Sequence, residues 1–368
     1  MSAIFLIVLV DILGLTIILP LLPFYAEHFG ASATTVGLLI SSYALCQLIA
    51  APLLGRLSDS RGRKPLLLLS QAGTFAGFLI LAGASSLWMV FLGRIIDGLT
   101  AGNLSLAQAY ISDITTPQNR AKAFGLIGTA FGIGFLIGPA ISGYLAQFGY
   151  AYPILTAAAL SATSILCTLF LLPAEKPHET RQQPPSSFLG FFAKPGLRGL
   201  LIRFLLYTFS FTIFMSGFAL YAQRRYQYET REVGYVLAFI GLLGIVHQGG
   251  LLGPLRRWIG ERGLVITGFL ATTTAYGILG WSTTRLQLLG SSAANAYGNG
   301  SLRPALTSLI TQRAERSEQG AVIGLTQSMT AISQIVAPLI SGTLIDHALL
   351  GPWALVAAGI AVLGLFIR

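Results

Sequence analysis

Two carboxylates, Asp11 and Asp97, stand inside long apolar runs, and groups so placed decide what chemistry the chain can do. A charged side chain in hydrocarbon costs ~3 kcal/mol on insertion scales, so each should face a cavity or a partner. Burial also shifts the proton equilibrium of a carboxyl, which makes it a candidate proton carrier. Asp11 falls near the middle of its run, where it suits a proton site or a substrate contact; a structural hydrogen bond to a neighbouring helix is the plainer alternative. Arg94 precedes Asp97 by three residues, so the two share a helix face and can pair. That pair either neutralises itself or lets Arg94 bias the protonation of a nearby acid. His247 is a further titrating candidate, with a packed polar role as its alternative. No His/Glu zinc cluster, no Ser/Lys or paired-Asp arrangement and no nucleotide-binding loop stands out. The chain is therefore read as neither an enzyme nor an ATP-driven machine, with no cofactor and no metal. Cys46 and Cys167 lie in apolar runs without metal-ligand spacing.

These groups need a membrane to position them. Of 368 residues, 54% are hydrophobic and 10% charged, with mean hydropathy +0.73; a soluble protein carries roughly 25% charged residues. The net charge of +10 sits mostly in short loops, which points to membrane orientation and an anionic leaflet and not to nucleic acid. At about 20 apolar residues per span, the sequence predicts twelve: 3–24, 34–54, 66–84, 87–108, 122–144, 150–172, 200–222, 233–253, 263–281, 286–308, 320–342 and 351–367. No cleavable signal peptide is expected, because the first run is long enough to span and carries Asp11. A polar stretch, 173–198, holds Pro177, Pro184, Pro185 and Pro195 and reads as a linker between residues 1–172 and 199–368; its Phe188–Phe192 segment suits the membrane interface.

Basic residues set the orientation. With the N-terminus inside, the inner loops hold Arg56, Arg61, Arg63, Lys64, Arg120, Lys122, Lys176, Arg181, Lys194, Arg198, Arg256, Arg257, Arg262, Arg313 and Arg316. The outer loops hold Arg224, Arg225, Arg231 and Arg285, so fifteen stand against four. Both termini are expected in the cytoplasm of a multi-pass cell-membrane protein, the inner membrane if the source is bacterial.

The chain repeats itself. GLIGTAFGIGFLIGPAISG at 125–143 and GLTQSMTAISQIVAPLISG at 324–342 share seven of nineteen positions, including Pro139/Pro338 and Gly143/Gly342. The basic turn Gly55-Arg-Leu-Ser-Asp59-Ser-Arg61-Gly62-Arg63-Lys64 has a copy at 253–262 that keeps both glycines but puts Arg257 where Asp59 stands. Two six-span halves related as parallel repeats, with a binding site between them, is a transporter architecture. In span five, Gly128/Gly132 and Gly134/Gly138 permit close helix approach, and Pro139 should kink the helix.

With these pieces together the chain resembles the major facilitator superfamily, and within it the twelve-span drug:proton antiporters around the tetracycline efflux proteins. The turn Gly55–Lys64 matches the loop signature between spans two and three. Asp11-x-x-Gly14 with Pro20-x-x-Pro23 looks like the first-span motif, Arg94 with Gly98 the fourth-span motif, and Gly134, Gly138, Pro139 and Gly143 the antiporter motif of span five. The resemblance implies an all-α membrane fold of two six-helix bundles related by a pseudo-two-fold. It also implies an inner gate in which Gly55, Asp59, Arg61, Gly62, Arg63, Lys64 and Asp113 latch the halves on the inner side. Three positions depart from the tetracycline exporters. Gly77 and Thr272 stand where those carry acids in spans three and nine, and Gly244 stands where they carry a histidine in span eight. The family carries over; the substrate does not.

Polar and aromatic residues on apolar helices complete the picture: Tyr43, Gln47, Asn103, Tyr207, Phe211, Gln248 and Gln327 are candidates to line a cavity for a weakly polar, amphipathic ligand. The expected function is proton-coupled export of a small molecule by a monomer using alternating access. Proton-coupled uptake of a metabolite and a transport-inactive sensor or scaffold are the alternatives.

Overall fold

The computed structural model describes residues 2–115, 117–173, 188–194, 196–315 and 318–367. Most of the expected linker, with Lys176, Pro177, Arg181, Pro184, Pro185 and Pro195, lies outside the described residues, as does Arg316. The described elements are all helical: α1 (Ser2–His28), α2 (Ala33–Arg61), α3 (Arg63–Ala82), α4 (Leu87–Leu99), α5 (Asn103–Ile114), α6 (Pro117–Ala146), α7 (Ala151–Leu171), α8 (Phe188–Ala193), α9 (Arg198–Tyr226), α10 (Thr230–Val246), a π segment (His247–Leu251), α11 (Leu252–Trp281), α12 (Arg285–Arg313), α13 (Gln319–Asp346) and α14 (Leu350–Phe366). In hydrocarbon every backbone group must find a partner within the protein, and helices meet that demand locally. Among the described residues, eight helical stretches are long and apolar enough to cross a membrane.

Three expected spans fall outside that set for separate reasons. Span four is broken into α4 and α5 around Thr100–Gly102. Ser70 of α3 bridges the break: its hydroxyl donates to the Thr100 carbonyl at 2.5 Å and accepts from the Gly102 amide at 2.9 Å. The open backbone is thereby satisfied inside the bundle. Span ten, α12, carries Asn295, Asn299 and Arg303 and is too polar to read as a simple lipid-facing rod. Span twelve, α14, is only 17 residues long. Spans eight and nine run on without a loop: α10 passes through the π segment into α11, and the direction changes at Gly260, whose φ of 69° and ψ of 175° only glycine adopts readily. Helix α6 continues through Pro139.

The residues cluster into two units. Unit 1 comprises Met1–Ala31, Leu39–Arg181 and Glu229–Ala238; unit 2 comprises Ser32–Leu38, Gln182–Tyr228 and Phe239–Arg368. Within unit 1, α1 packs on α6 and α7, and α3 on α4 and α7, around a core that includes Ile4, Ile7, Leu67, Leu106 and Tyr110. Within unit 2, α11 packs on α12 and α14, and α9 on α13 and α14, around Phe204, Phe269, Leu302, Leu306 and Met329. The most exposed aromatics, Trp88, Phe170, Trp258, Trp281 and Phe366, stand near helix ends or breaks, the level at which aromatic side chains meet a bilayer interface.

Candidate functional site

Asp11 projects from α1 toward α3 and α7, where Ser164 and Gln71 come close enough to favour its charged form. The two partners are tied to each other, Gln71 Nε2 donating to Ser164 Oγ at 2.7 Å. Gln71 Oε1 is buried and accepts no hydrogen bond. The niche therefore offers donors for a carboxylate and a spare acceptor for a protonated acid.

Asp97 is buried beside this niche, close enough to act electrostatically on Asp11. Its own balance is local. Arg94 Nη1 donates to Asp97 Oδ2 at 2.8 Å, and Thr74 adds a side-chain hydrogen bond. The Arg94 guanidinium lies 4.0 Å from the ring centroid of Tyr43, a cation–π contact that is stronger out of water. Gly77, where the resembled exporters place an acid, leaves the space: a Cβ there would stand 2.8 Å from the Gly93 carbonyl and 3.0 Å from Asp97 Cβ. The carboxylate of this region is thus presented by α4, not by α3. Gln47 donates weakly to the Tyr43 hydroxyl at 3.4 Å, and Asn103, at the start of α5, keeps a buried Oδ1 without a partner.

Helix α6 closes on the same stretch of α1. A Cβ at Gly134 would run into Ile12, and one at Gly138 into Thr16. Thr16 Oγ1 donates to the Gly134 carbonyl at 2.9 Å. These glycines therefore hold α6 one turn from Asp11. Gly128 meets nothing within 4 Å, so its expected part in the seam is not seen. Pro139 and Gly143 lie where the start of α10 comes close, the Pro139 carbonyl against Gly234 and Gly143 against the Arg231 backbone. Their repeats in unit 2 behave alike: the Pro338 carbonyl lies against Gly37 and Gly342 against the Ala33 carbonyl. Unit 2 adds a charge here, because Asp346 accepts from the Ala33 and Thr34 amides at 2.7 and 2.8 Å and caps the N-terminus of α2.

The basic turn is more helical than its composition suggests. Helix α2 continues to Arg61 and α3 starts at Arg63, leaving Gly62 as the whole connection, with φ 92° and ψ 153°. Arg63 lies between two acids, 2.5 Å from Asp59 and 2.9 Å from Asp113. Lys64 donates to the Leu169 and Leu172 carbonyls at 2.8 and 2.6 Å, closing the end of α7. Gly55 meets nothing within 4 Å and Arg61 is exposed.

Unit 2 holds the remaining candidates. His247 is buried in the π segment, its Nε2 2.9 Å from Ser301 Oγ and its ring packed edge-on against Tyr297. His247 belongs to unit 2, and Asp11, Asp97 and Arg94 belong to unit 1. Tyr207 and Phe211 stack at 6.3 Å on α9. Gln248 and Gln327 are exposed on their helices. Sequence reasoning missed Gln71, Thr74 and Ser164 around the acids. It also missed Arg203, Tyr276, Asn295, Asn299 and Arg303 in unit 2. The four-residue spacing of Asn295, Asn299 and Arg303 on α12, and of Arg203, Tyr207 and Phe211 on α9, was the available signal.

A two-unit helical membrane protein with acids inside its membrane helices and a repeated glycine-proline seam has the build of a secondary transporter. The chain belongs to the Major Facilitator Superfamily, whose family profile matches residues 4–264 and 249–367. It is 32% identical to the tetracycline resistance protein, class B, of Escherichia coli over 93% of this chain and 88% of that protein. Multidrug resistance protein 2 of Bacillus subtilis (strain 168) is 27% identical over 92% of this chain and 87% of its own. Among solved structures, the human organic anion transporter MFSD10 (TETRAN) superposes with TM-score 0.76 at 24% identity, covering 100% of this chain and 98% of that one. The nucleoside transporter NupG gives TM-score 0.75 at 15% identity, covering 99% and 97%. The chain is a transporter and not an enzyme.

Proposed function

We propose that the chain is a proton-coupled antiporter of the cell membrane that exports an amphipathic small molecule by alternating access. The proton gradient drives it, with no bound cofactor. Both termini face the cytoplasm in this reading, which the fifteen-to-four distribution of basic residues supports. It works as a monomer, with the halves 1–172 and 199–368 as its two bundles.

The niche of Asp11 carries the reading. Ser164 and Gln71 come close enough to favour the carboxylate. When Asp11 takes up a proton, its O–H can turn to Gln71 Oε1, the acceptor left unpartnered. Each protonation state then has a partner, so the group can load and release a proton without stranding a polar atom in hydrocarbon. The Asp97 charge acts on that of Asp11, and Arg94 offsets its field. A substrate group that alters either charge therefore shifts the Asp11 proton, and that shift is the coupling. The tight α1–α6 seam at Gly134 and Gly138 transmits it to the helix that carries Pro139 and Gly143.

Proteoliposomes with an imposed pH gradient and a panel of amphipathic compounds, tetracycline among them, test the proposal. Substrate-dependent proton movement is expected from the native chain and none from Asp11→Asn inserted at normal levels. Full coupling in Asp11→Asn, or no proton movement with any compound, would overturn it.

A further inference from the structure

The acids of unit 1 have a counterpart of opposite sign in unit 2. Two arginines lie within its membrane helices, Arg203 on α9 and Arg303 on α12. Among the described residues neither forms an ion pair with an acid. Glu261 is taken by Arg256, Ser308 and Gln312, Glu318 by Lys194, and Asp346 by the N-terminus of α2 and Arg224. Arg203 Nε is buried with no hydrogen-bond partner. Arg303 is exposed on its helix, yet close enough to act electrostatically on Tyr207.

The two helices agree in depth. Tyr207 lies nine residues from the start of α9 and Arg303 ten from the end of α12, about 14 and 15 Å along their axes. A guanidinium at that depth costs several kcal/mol against lipid and must therefore face a polar surrounding. The neighbours supply part of one. Tyr276 and Asn299 both donate to Asn295 Oδ1, at 2.8 and 2.6 Å, and Asn299 Oδ1 remains buried and unpartnered. The flat, stacked Tyr207 and Phe211 rings lie on the Arg203 face of α9.

We propose that this Arg203–Arg303 face binds the anionic group of the transported molecule, so that the substrate is an amphipathic organic anion with a planar apolar body. The inference rests on the transporter reading given above. Guanidinium groups present paired donors that match carboxylate, sulfonate or phosphate oxygens, and the stacked rings offer area to an aromatic body. A cationic substrate would add a third positive charge to a face with no acid of its own.

Two planar xanthene dyes of opposite charge, fluorescein and rhodamine 6G, test the inference. Their binding to the purified chain is measured by fluorescence polarisation, and their flux in proteoliposomes under an imposed pH gradient by dye recovered after lysis at fixed pH. Fluorescein should bind the native chain, and Arg303→Gln should weaken it at least tenfold, Arg303→Lys less, with rhodamine 6G unaffected by either. Arg203→Gln should act in the same direction and covers the case in which Arg303→Gln fails to fold. Absent fluorescein binding, equal losses for both dyes, or unchanged fluorescein binding in Arg303→Gln and Arg203→Gln would overturn the proposal. Arginine-dependent fluorescein binding without gradient-driven flux would leave it standing and sink the antiport reading; gradient-driven flux of rhodamine 6G alone would do the reverse.

Discussion

Units 1 and 2 are built on the same repeat but carry opposite charge within their membrane helices. In unit 1 the charges within the membrane helices are Asp11 and the Asp97–Arg94 pair; in unit 2 they are Arg203 and Arg303. At the short turns the reversal recurs. A cation, Arg63, sits between Asp59 and Asp113 in the first turn. In the second an anion, Glu261, accepts from Arg256 at 2.5 Å, Ser308 at 2.7 Å and Gln312 at 2.9 Å. Fold symmetry is thus kept by glycine positions and packing, while charge has been free to diverge. The proposed proton niche of unit 1 and anion-binding face of unit 2 both rest on that divergence.

The comparison breaks hardest at Arg94. Removing it leaves Asp97 buried without its counter-ion, and breaking such a pair costs about 3–5 kcal/mol. Arg94→Ala should therefore lower the thermal midpoint of the purified protein strongly, and the double variant Arg94→Gln/Asp97→Asn should recover most of the loss. Arg303→Gln removes a charge with no acid partner and should leave the midpoint nearly unchanged. Equal destabilisation by Arg94→Ala and Arg303→Gln would mean that the two units do not differ as described.

Smaller effects are expected at the turns. Arg63→Gln leaves Asp59 and Asp113 facing each other, and losing hydrogen bonds to charged groups costs about 2–3 kcal/mol. Glu261→Gln should cost less, about 1 kcal/mol, because Ser308 and Gln312 still find a partner and Arg256 is largely solvated. Denaturant or thermal unfolding in the same detergent compares the two directly. A larger loss for Glu261→Gln would reverse this ranking of the two turns.

Much of this was legible from sequence because it depends on composition and spacing. Twelve apolar runs, the 125–143/324–342 repeat and the intramembrane Asp11 and Asp97 all follow from residue type and period. The break at Thr100–Gly102 did not, because it is held by one distant hydroxyl, Ser70, that no local pattern announces. The niche of Asp11 was hidden for the same reason: Gln71 and Ser164 lie on helices far away in sequence. Gln248 and Gln327 are a different case. Both are exposed on their unit, and sequence alone does not say what such a face meets. Arg203 and Arg303 were readable and overlooked, since basic residues were weighed by loop and not inside the spans.

The smallest effects test the shared part of the two units, their backbone. Gly62 and Gly260 occupy equivalent positions in the repeat and both have positive φ, 92° and 69°. An L-residue there is strained by about 1–2 kcal/mol, so Gly62→Ala and Gly260→Ala should destabilise by similar amounts despite their different charged neighbours. Gly55 and Gly253, the other glycines of the two turns, lie inside helices where an added Cβ meets nothing within 4 Å. Alanine at either should raise stability by roughly 0.5–1 kcal/mol, because glycine is the poorer helix former. If Gly55→Ala were neutral for stability yet abolished transport, the requirement at that position would belong to a state of the transport cycle and not to the fold. If both pairs gave the same sign, the single-glycine connection would not be the element that the repeat preserves.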